Sequence, residues 1–150
     1  MRSVTLMDEE TIRKARRHLR ACDPVMRDVI SRVGPFSLTL QKNRFQSLVR
    51  AVIAQQISGK AARSIYNRLQ QAIRPHRMTA AVIADLPPEQ LRALGLSPQK
   101  ASYVHDLAAK IGEGRVRLSR VRSMSDDEVI AELTQVKGIG VWTAQMCLIF

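Results

Sequence analysis

The clearest chemical signal in this sequence is a short run around two glycines, residues 133–144. Gly138 and Gly140 flank one isoleucine between two helical patterns, and a glycine lets the backbone turn sharply with no Cβ in the way of a ligand. The N–H groups freed at the start of the second helix would point outward, where such groups bind anions. The spacing therefore predicts an anion-binding turn at residues 136–140, with Ile139 filling the apolar gap between the helices. A plain interhelical turn is the alternative.

The elements that must hold this turn are helices, because apolar residues recur at helical spacing in almost every segment. The most apolar stripe predicts a central buried helix, and its members are Phe45, Leu48, Val49, Val52 and Ile53. Asn43, Ser58 and Ser125 stand where N-caps are expected. Glu128 completes a capping box with Ser125, and residues 35–40 are the one stretch with an extended pattern. We predict an all-α bundle of about seven to ten helices, at residues 8–21, 24–33, 43–54, 58–73, 79–86, 88–94, 99–111, 125–135 and 141–150.

The composition favours a nucleic-acid partner. Twenty-four Lys and Arg against 13 Asp and Glu give the 150 residues a formal net charge of +11. Such an excess suits a polyanion, because each neutralised phosphate releases a condensed counterion; a generally basic protein is the alternative. Cys22 and Cys147 lie far apart without a CxxC spacing, which argues against a zinc site and a disulfide framework. No apolar run is long enough for a signal peptide or a membrane span, so we expect an intracellular protein without membrane contact.

Three segments together resemble one enzyme family. Residues 45–62 carry a signature run that ends in Ala54-Gln55-Gln56-Ile57-Ser58-Gly59-Lys60-Ala61-Ala62. Residues 94–101 resemble a second DNA-facing hairpin, and residues 133–144 resemble a helix-hairpin-helix motif. In this order they are similar to the DNA-3-methyladenine glycosylase II family, from about residue 19 to residue 150. The resemblance implies an all-α helix-hairpin-helix DNA glycosylase bundle.

The resemblance assigns the grip on DNA to two hairpins. The main hairpin would bind a phosphate beside the lesion, through Lys137, Gly138, Ile139 and Gly140. The other hairpin would hold the backbone across a kink in the DNA, through Gly95, Ser97 and Lys100. A structural sodium or potassium ion is expected on the backbone carbonyls of Thr134, Val136 and Ile139. No organic cofactor is expected.

The resemblance also implies a wedge and a base pocket. The target nucleotide must be flipped out of the duplex, and Gln56 matches the wedge that fills the gap, with Gln55 and Ser58 beside it. Trp142 matches an aromatic residue of the pocket, where an indole face attracts a cationic alkylated purine more than a normal base. By residue type alone, Gln55 and Gln56 would be a solvated helix C-terminus, and Trp142 would be a core residue.

Two positions bear on the reaction. Strand-cleaving members of the superfamily carry a Schiff-base lysine where this sequence has Trp142, so the resemblance implies a monofunctional glycosylase that uses water. The family's essential aspartate lies about twenty residues beyond that tryptophan, past Phe150. Other carboxylates of the chain match no such motif, and they include Asp106, Glu113, Asp126, Asp127 and Glu128. We therefore expect the protein to continue: residues 1–150 would be one glycosylase region, about 1–42 packing with a C-terminal part and about 43–150 forming the helix-hairpin-helix subdomain.

The sequence thus predicts a monomeric enzyme that flips and hydrolytically excises alkylated purines of the 3-methyladenine type from double-stranded DNA. We expect it in the nucleoid of a bacterial cytoplasm or in a eukaryotic nucleus. A non-catalytic helix-hairpin-helix DNA-binding module is the alternative from another class. A glycosylase for uracil, mismatched thymine or oxidised guanine is a second alternative, and a basic scaffold for RNA is a third.

Overall fold

The computed structural model describes residues 9–36 and 43–149. Within these ranges the regular structure is helical throughout, which confirms the all-α prediction. The extended stretch expected at residues 35–40 lies mostly outside them, and Pro35 and Phe36 form no strand. No helix of the described ranges is both long enough and apolar enough to cross a bilayer.

The first of two compact units, Met1–Thr39, contains α1 (Glu9–Cys22) and α2 (Pro24–Val33). Asp23 separates them and caps α2. Its carboxylate accepts the N–H groups of Val25 and Met26 at 2.8 and 3.0 Å. Neither helix contains a buried residue. The expectation that this unit packs with a further segment of the protein stays a prediction.

The second unit, Leu40–Phe150, contains the hydrophobic core. Its helices are α3 (Arg44–Ala54), α4 (Gly59–Ala72), α5 (Ala80–Ala84), α6 (Pro88–Ala93), α7 (Pro98–Gly112), α8 (Asp126–Leu133) and α9 (Val141–Ile149), with a 3-10 turn at Val121–Ser123. The predicted caps are confirmed: Asn43 caps α3, Ser58 caps α4, and Ser125 forms a complete capping box at α8. Each cap satisfies an N–H group that the helix itself cannot bond, which is why these boundaries could be read locally.

The central helices of this unit are α3 and α7. All five side chains predicted for the buried stripe of α3 are buried, none of them more than 7% exposed. The inner face of α7 adds Ala101, Val104, Leu107 and Ala108 to the same core. α3 packs on α4, α7 and α9, and α7 packs also on α5 and α6. Both central helices therefore border the connection between α8 and α9.

The basic segment after α7 is irregular apart from its 3-10 turn. Glu132 of α8 anchors this segment although its carboxylate is buried. The carboxylate accepts the main-chain N–H of Arg117 and also two guanidinium N–H groups of the same residue, at 2.9 and 3.2 Å. A buried charge requires such partners, and here they fix the loop against the helix that leads into the hairpin.

Candidate nucleic-acid interface

The connection between α8 and α9 is the tight turn that the two glycines predict. Gly138 has φ +77, and a Cβ at this position would overlap the ring of Tyr103 from α7. Only glycine fits both constraints. Ile139 is 3% exposed and fills the gap between the helices, as predicted, whereas a Cβ on Gly140 would meet nothing within 4 Å. Gly140 therefore leaves the outer side of the turn open for a ligand.

The N-terminus of α9 is the part of this turn that can receive an anion. The first intrahelical bond of α9 runs from the N–H of Ala144 to the carbonyl of Gly140, so the N–H groups before Ala144 have no intrahelical acceptor. Gly140 has no side chain with which to cap them. These N–H groups and the positive end of the helix dipole make an anion site, and Lys137, which is exposed, adds a positive charge beside it.

Some of the hairpin N–H groups are already bonded inside the protein. The N–H of Ile139 donates to the carbonyl of Val136 at 3.1 Å. The N–H of Lys137 donates to a carboxylate oxygen of Asp106 at 2.8 Å. The main-chain donors left for a phosphate in this turn are those of Gly138, Gly140 and the first turn of α9. The expected contacts of Lys137 and Ile139 with DNA would therefore have to come from the lysine ammonium and from the shape of the turn.

Asp106 is a residue of this site that sequence reasoning missed, because it stands in no motif. Its carboxylate accepts the Lys137 N–H and lies 2.5 Å from the ammonium of Lys110, which is itself 8% exposed. Burial raises the pKa of Asp106, but the hydrogen bonds from Lys110 and Lys137, with their charges, outweigh it and hold the pKa below its usual range. The ionised carboxylate fixes the hairpin to α7.

The predicted wedge segment lies between α3 and α4 and is tied directly to the hairpin. The side-chain amide of Gln55 donates to the carbonyl of Gly138 at 2.7 Å. Gln56 is exposed and has φ +56, a left-handed conformation that few non-glycine residues adopt. Ser58 uses its hydroxyl to cap α4 at Ala61, so its first role is to end this segment. Gln55 is therefore not part of a freely solvated helix C-terminus, because its side-chain amide is bonded to the hairpin.

The second hairpin, around Gly95, rests on α4. Gly95 has φ +103 and lies close to the side chain of Arg68, whose Nε donates to the carbonyl of Leu94 at 2.8 Å. Ser97 caps α7 by accepting the N–H of Lys100 at 3.2 Å. Arg68 is a second residue that sequence reasoning missed, because nothing local links it to a turn 26 residues further along the chain.

Lys100 is bonded differently from what the resemblance implies. Its ammonium donates to the carbonyls of Ile53 and Gln55, at 2.7 and 2.6 Å, at the C-terminal end of α3. Burial lowers the pKa of this ammonium. In this structure the charge of Lys100 is therefore directed to the segment that carries Gln56.

Trp142 is 70% exposed, and its neighbour Val141 is 53% exposed. The alternative in which Trp142 belongs to the core is therefore wrong. An indole held at the open N-terminus of α9 presents a large apolar face next to an anion site. This pairing suits a ligand that combines an aromatic ring with a phosphate, as a nucleotide does.

The carbonyl groups of the hairpin are the ligands that are expected for the alkali ion. The carbonyl of Val136 accepts the N–H of Ile139, which engages one of its two lone pairs, and the negative end of the α8 dipole lies at Thr134. Carbonyl oxygens at a helix C-terminus are chemically suited to a sodium or potassium ion. Among the described residues no three His, Cys, Asp or Glu side chains are grouped as a metal site, and both cysteines are free.

Comparison with known families identifies the group to which these features belong. The model of the HhH-GPD superfamily base excision DNA repair protein matches residues 49–143, which include both hairpins and the wedge segment. The chain belongs to this superfamily. DNA-3-methyladenine glycosylase 1 of Schizosaccharomyces pombe is 33% identical to it over 145 residues, covering 93% of this chain and 64% of that protein. The chain thus spans slightly less than two thirds of that relative's length.

Two solved structures resemble the chain over most of its length. One is a 3-methyladenine DNA glycosylase of the same yeast in complex with abasic DNA, with a TM-score of 0.82 and 32% identity over 91% of this chain and 69% of that one. The other is a DNA-3-methyladenine glycosidase from Bacillus halodurans, with a TM-score of 0.77 and 31% identity over 100% of this chain and 67% of that one. The helix-hairpin-helix fold expected from the sequence is confirmed, whereas the type II assignment stays a prediction.

Replacement of Gly138 by alanine should destabilise the protein by about 2–5 kcal/mol, the sum of a left-handed backbone cost and of overpacking against the Tyr103 ring. Gly114 is a matched control, because it has φ +72 but open space around it, and Gly112 has neither constraint. Urea unfolding should rank the losses Gly138→Ala, then Gly114→Ala, then Gly112→Ala. Equal losses for the first two would show that the Tyr103 contact does not constrain the turn.

Replacement of Asp106 by asparagine should cost about 1–3 kcal/mol at pH 7, because Lys110 and the Lys137 N–H lose a charged acceptor. Since the folded-state pKa of Asp106 lies below its usual range, this contribution is present at neutral pH and is lost as the pH falls through the folded-state value. The difference between wild type and variant should therefore shrink below about pH 4. Urea unfolding at pH 7 and pH 3.5 checks this, with exposed Asp85→Asn as control; a constant difference would contradict it.

Proposed function

We propose that this chain carries the DNA-gripping and base-recognition elements of a monofunctional DNA glycosylase, which hydrolyses the N-glycosidic bond of alkylated purines and leaves an abasic site. The observation that carries the proposal is the 2.7 Å bond from Gln55 to the carbonyl of Gly138. This bond joins the proposed wedge segment to the hairpin, and together they would form one unit that holds a phosphate and enters the base stack. Similar proteins named as 3-methyladenine glycosylases support the same reaction.

Each part has a physical role in such a reaction. A base inside a duplex cannot be hydrolysed from its sugar until the nucleotide is extruded. The N–H groups at the start of α9 would hold the backbone beside that nucleotide, while Gln56, exposed at the tip of its turn, would occupy the gap left in the stack. Trp142 would present its indole face to the extruded base. A purine alkylated on a ring nitrogen is cationic, and a cation is attracted to the indole quadrupole.

The proposed enzyme acts without a covalent lysine intermediate. The position that would hold the Schiff-base lysine is Trp142, and Lys137 lies on the other side of the glycines. We propose water as the nucleophile. Asp106 is engaged with Lys110 and Lys137, and Glu128 with the capping box of α8, so neither is free to serve the reaction. The resemblance puts the essential aspartate about twenty residues beyond Trp142, and we propose that the catalytic carboxylate comes from that part of the protein.

We also propose that a sodium or potassium ion binds the carbonyls of Thr134, Val136 and Ile139. The supporting observation is that α8 ends directly before the hairpin turn, and that the carbonyls of this turn keep lone pairs for an ion. Such an ion would supply positive charge next to a phosphate, while the chain itself supplies the N–H donors.

The decisive experiment is release of free 3-methyladenine from methylated duplex DNA, with this chain and any longer product of its gene assayed side by side. Release by the longer product, or by both, would support the proposal. If neither releases a base and both bind duplex DNA, the enzyme assignment is wrong and the non-catalytic binding module takes its place. Release of uracil or oxidised guanine alone would favour a glycosylase of another specificity.

Replacement of Trp142 by alanine should lower the preference for a cationic base. With the longer product of the gene, we expect kcat/KM for 3-methyladenine relative to neutral hypoxanthine to fall about 2- to 30-fold, the range of a cation–π contact. The exposed neighbour Val141→Ala is the control, and Trp142→Phe should retain part of the preference. Because the indole is 70% exposed, thermal unfolding should change little in either variant. An unchanged base preference in Trp142→Ala would remove the indole from the pocket.

A further inference from the structure

The C-terminal end of α3 has few backbone bonds of its own. The last carbonyls of any helix lack intrahelical donors. Here the two turn bonds that follow are long: the N–H of Gln55 lies 3.4 Å from the carbonyl of Val52, and the N–H of Ile57 lies 3.4 Å from that of Ala54. Between them stands Gln56 with its left-handed φ of +56. Something outside this segment must therefore hold it in shape.

Lys100 supplies that support. Its ammonium approaches the carbonyls of Ile53 and Gln55 to 2.7 and 2.6 Å, one on each side of the point where α3 ends. A cation at a helix C-terminus also interacts favourably with the helix dipole. Burial lowers the pKa of this ammonium, in agreement with a position under the turn rather than in solvent.

The same residue links the wedge to the hairpin. The carbonyl of Gln55 accepts from Lys100, and the side-chain amide of Gln55 donates to Gly138. Lys100 stands three residues before Tyr103 and six before Asp106, so all three lie on one side of α7. Tyr103 packs beneath Gly138 and Asp106 binds the Lys137 N–H. One face of α7 thus holds the wedge and the hairpin at the same time.

We propose that Lys100 is a positioning residue of the wedge: its ammonium fixes the end of α3 so that Gln56 points into the base stack, and it does not act as a phosphate ligand. This inference rests on the proposed function, since Gln56 has a wedge to form only if the protein flips a nucleotide. Lys100 acts through Gln56 and touches neither the base nor the bond that is broken.

A phosphate ligand and a positioning residue differ in the salt dependence of DNA binding. Each lysine that neutralises a phosphate contributes about 0.9 to the slope of log K against log salt concentration. A lysine bonded to carbonyls releases no counterion from DNA. Lys100→Met should therefore leave the slope unchanged, whereas Lys137→Met, at the exposed hairpin lysine, should lower it by about 1.

The two roles also differ in base flipping. With the full product of the gene and duplex DNA that carries 2-aminopurine next to an abasic analogue, the rise in fluorescence on binding reports the extruded state. We expect Lys100→Met to lower the flipping equilibrium about tenfold or more, the effect of losing a charge-assisted hydrogen bond. Gln56→Ala should do the same, and the double variant should be no worse than either single one, because both changes remove one function.

The outcomes separate this inference from the proposed function. A drop of about 1 in the salt slope of Lys100→Met overturns the inference, and so do additive effects in the double variant. Absence of flipping by the wild type rejects the proposed function and the inference together, a result visible before any variant is made. If Lys100→Met fails to fold, Lys100→Gln keeps an N–H donor without the charge: retained flipping at an unchanged slope supports the inference, and a lowered slope rejects it.

Discussion

The carbonyl groups at the end of α3 must be hydrogen-bonded, and the way in which they are bonded determines the geometry of the whole site. The last carbonyls of a helix have no intrahelical donors, and each acceptor that stays unbonded where water reaches it poorly is costly. Here the acceptors are bonded by the ammonium of Lys100, 45 and 47 residues away along the chain. Gln55, which follows the last residue of α3, also donates its side-chain amide to the carbonyl of Gly138. The need for hydrogen-bond donors at the end of α3 therefore links three segments that are distant in sequence: the end of α3, the first turn of α7 and the hairpin.

The helix that provides this connection, α7, is held by a cap at its N-terminus and by the packing of its apolar face. Ser97 caps its first turn, and its apolar face is buried against α3, α5 and α6. Because the helix is rigid, side chains on its outer face keep fixed spacings of about 1.5 Å per residue along the axis. That rigidity sets the distance between the wedge and the hairpin. DNA presents its phosphates and bases at fixed spacings as well, so a fixed distance between these two segments suits the proposed contact with a duplex.

Much of the fold could be predicted from the sequence, because the signals that define helices are local. The buried stripe of α3 and the caps at Asn43, Ser58 and Ser125 depend on residues three or four positions apart. The turn at Gly138 could also be predicted, since its glycines are adjacent in sequence. Contacts between segments could not: Asp106 belongs to no motif, and its bond to Lys137 exists only because α7 packs beside the hairpin.

Lys100 shows what residue type alone leaves out of a prediction. A lysine beside a DNA-facing hairpin in a chain of net charge +11 is reasonably expected to bind phosphate. The charge count, however, does not say which cations are already engaged within the protein. Lys100 is bonded to carbonyls, Lys110 to Asp106, Arg68 to Leu94 and Arg117 to Glu132.

These internal contacts change how the positive charge should be interpreted. A cation that bonds a carbonyl or a buried carboxylate has fewer N–H donors left for a phosphate, and moving it away from a buried carboxylate would be costly. The charge therefore has two populations: internally bonded cations that shape the interface, and exposed cations such as Lys137 that can meet DNA. The first population holds the end of α3, the turn at Gly95 and the segment that leads into the hairpin. On the proposed function, the exposed cations would supply the counterion release, so the shape of this interface and its affinity for a duplex would rest largely on different basic residues.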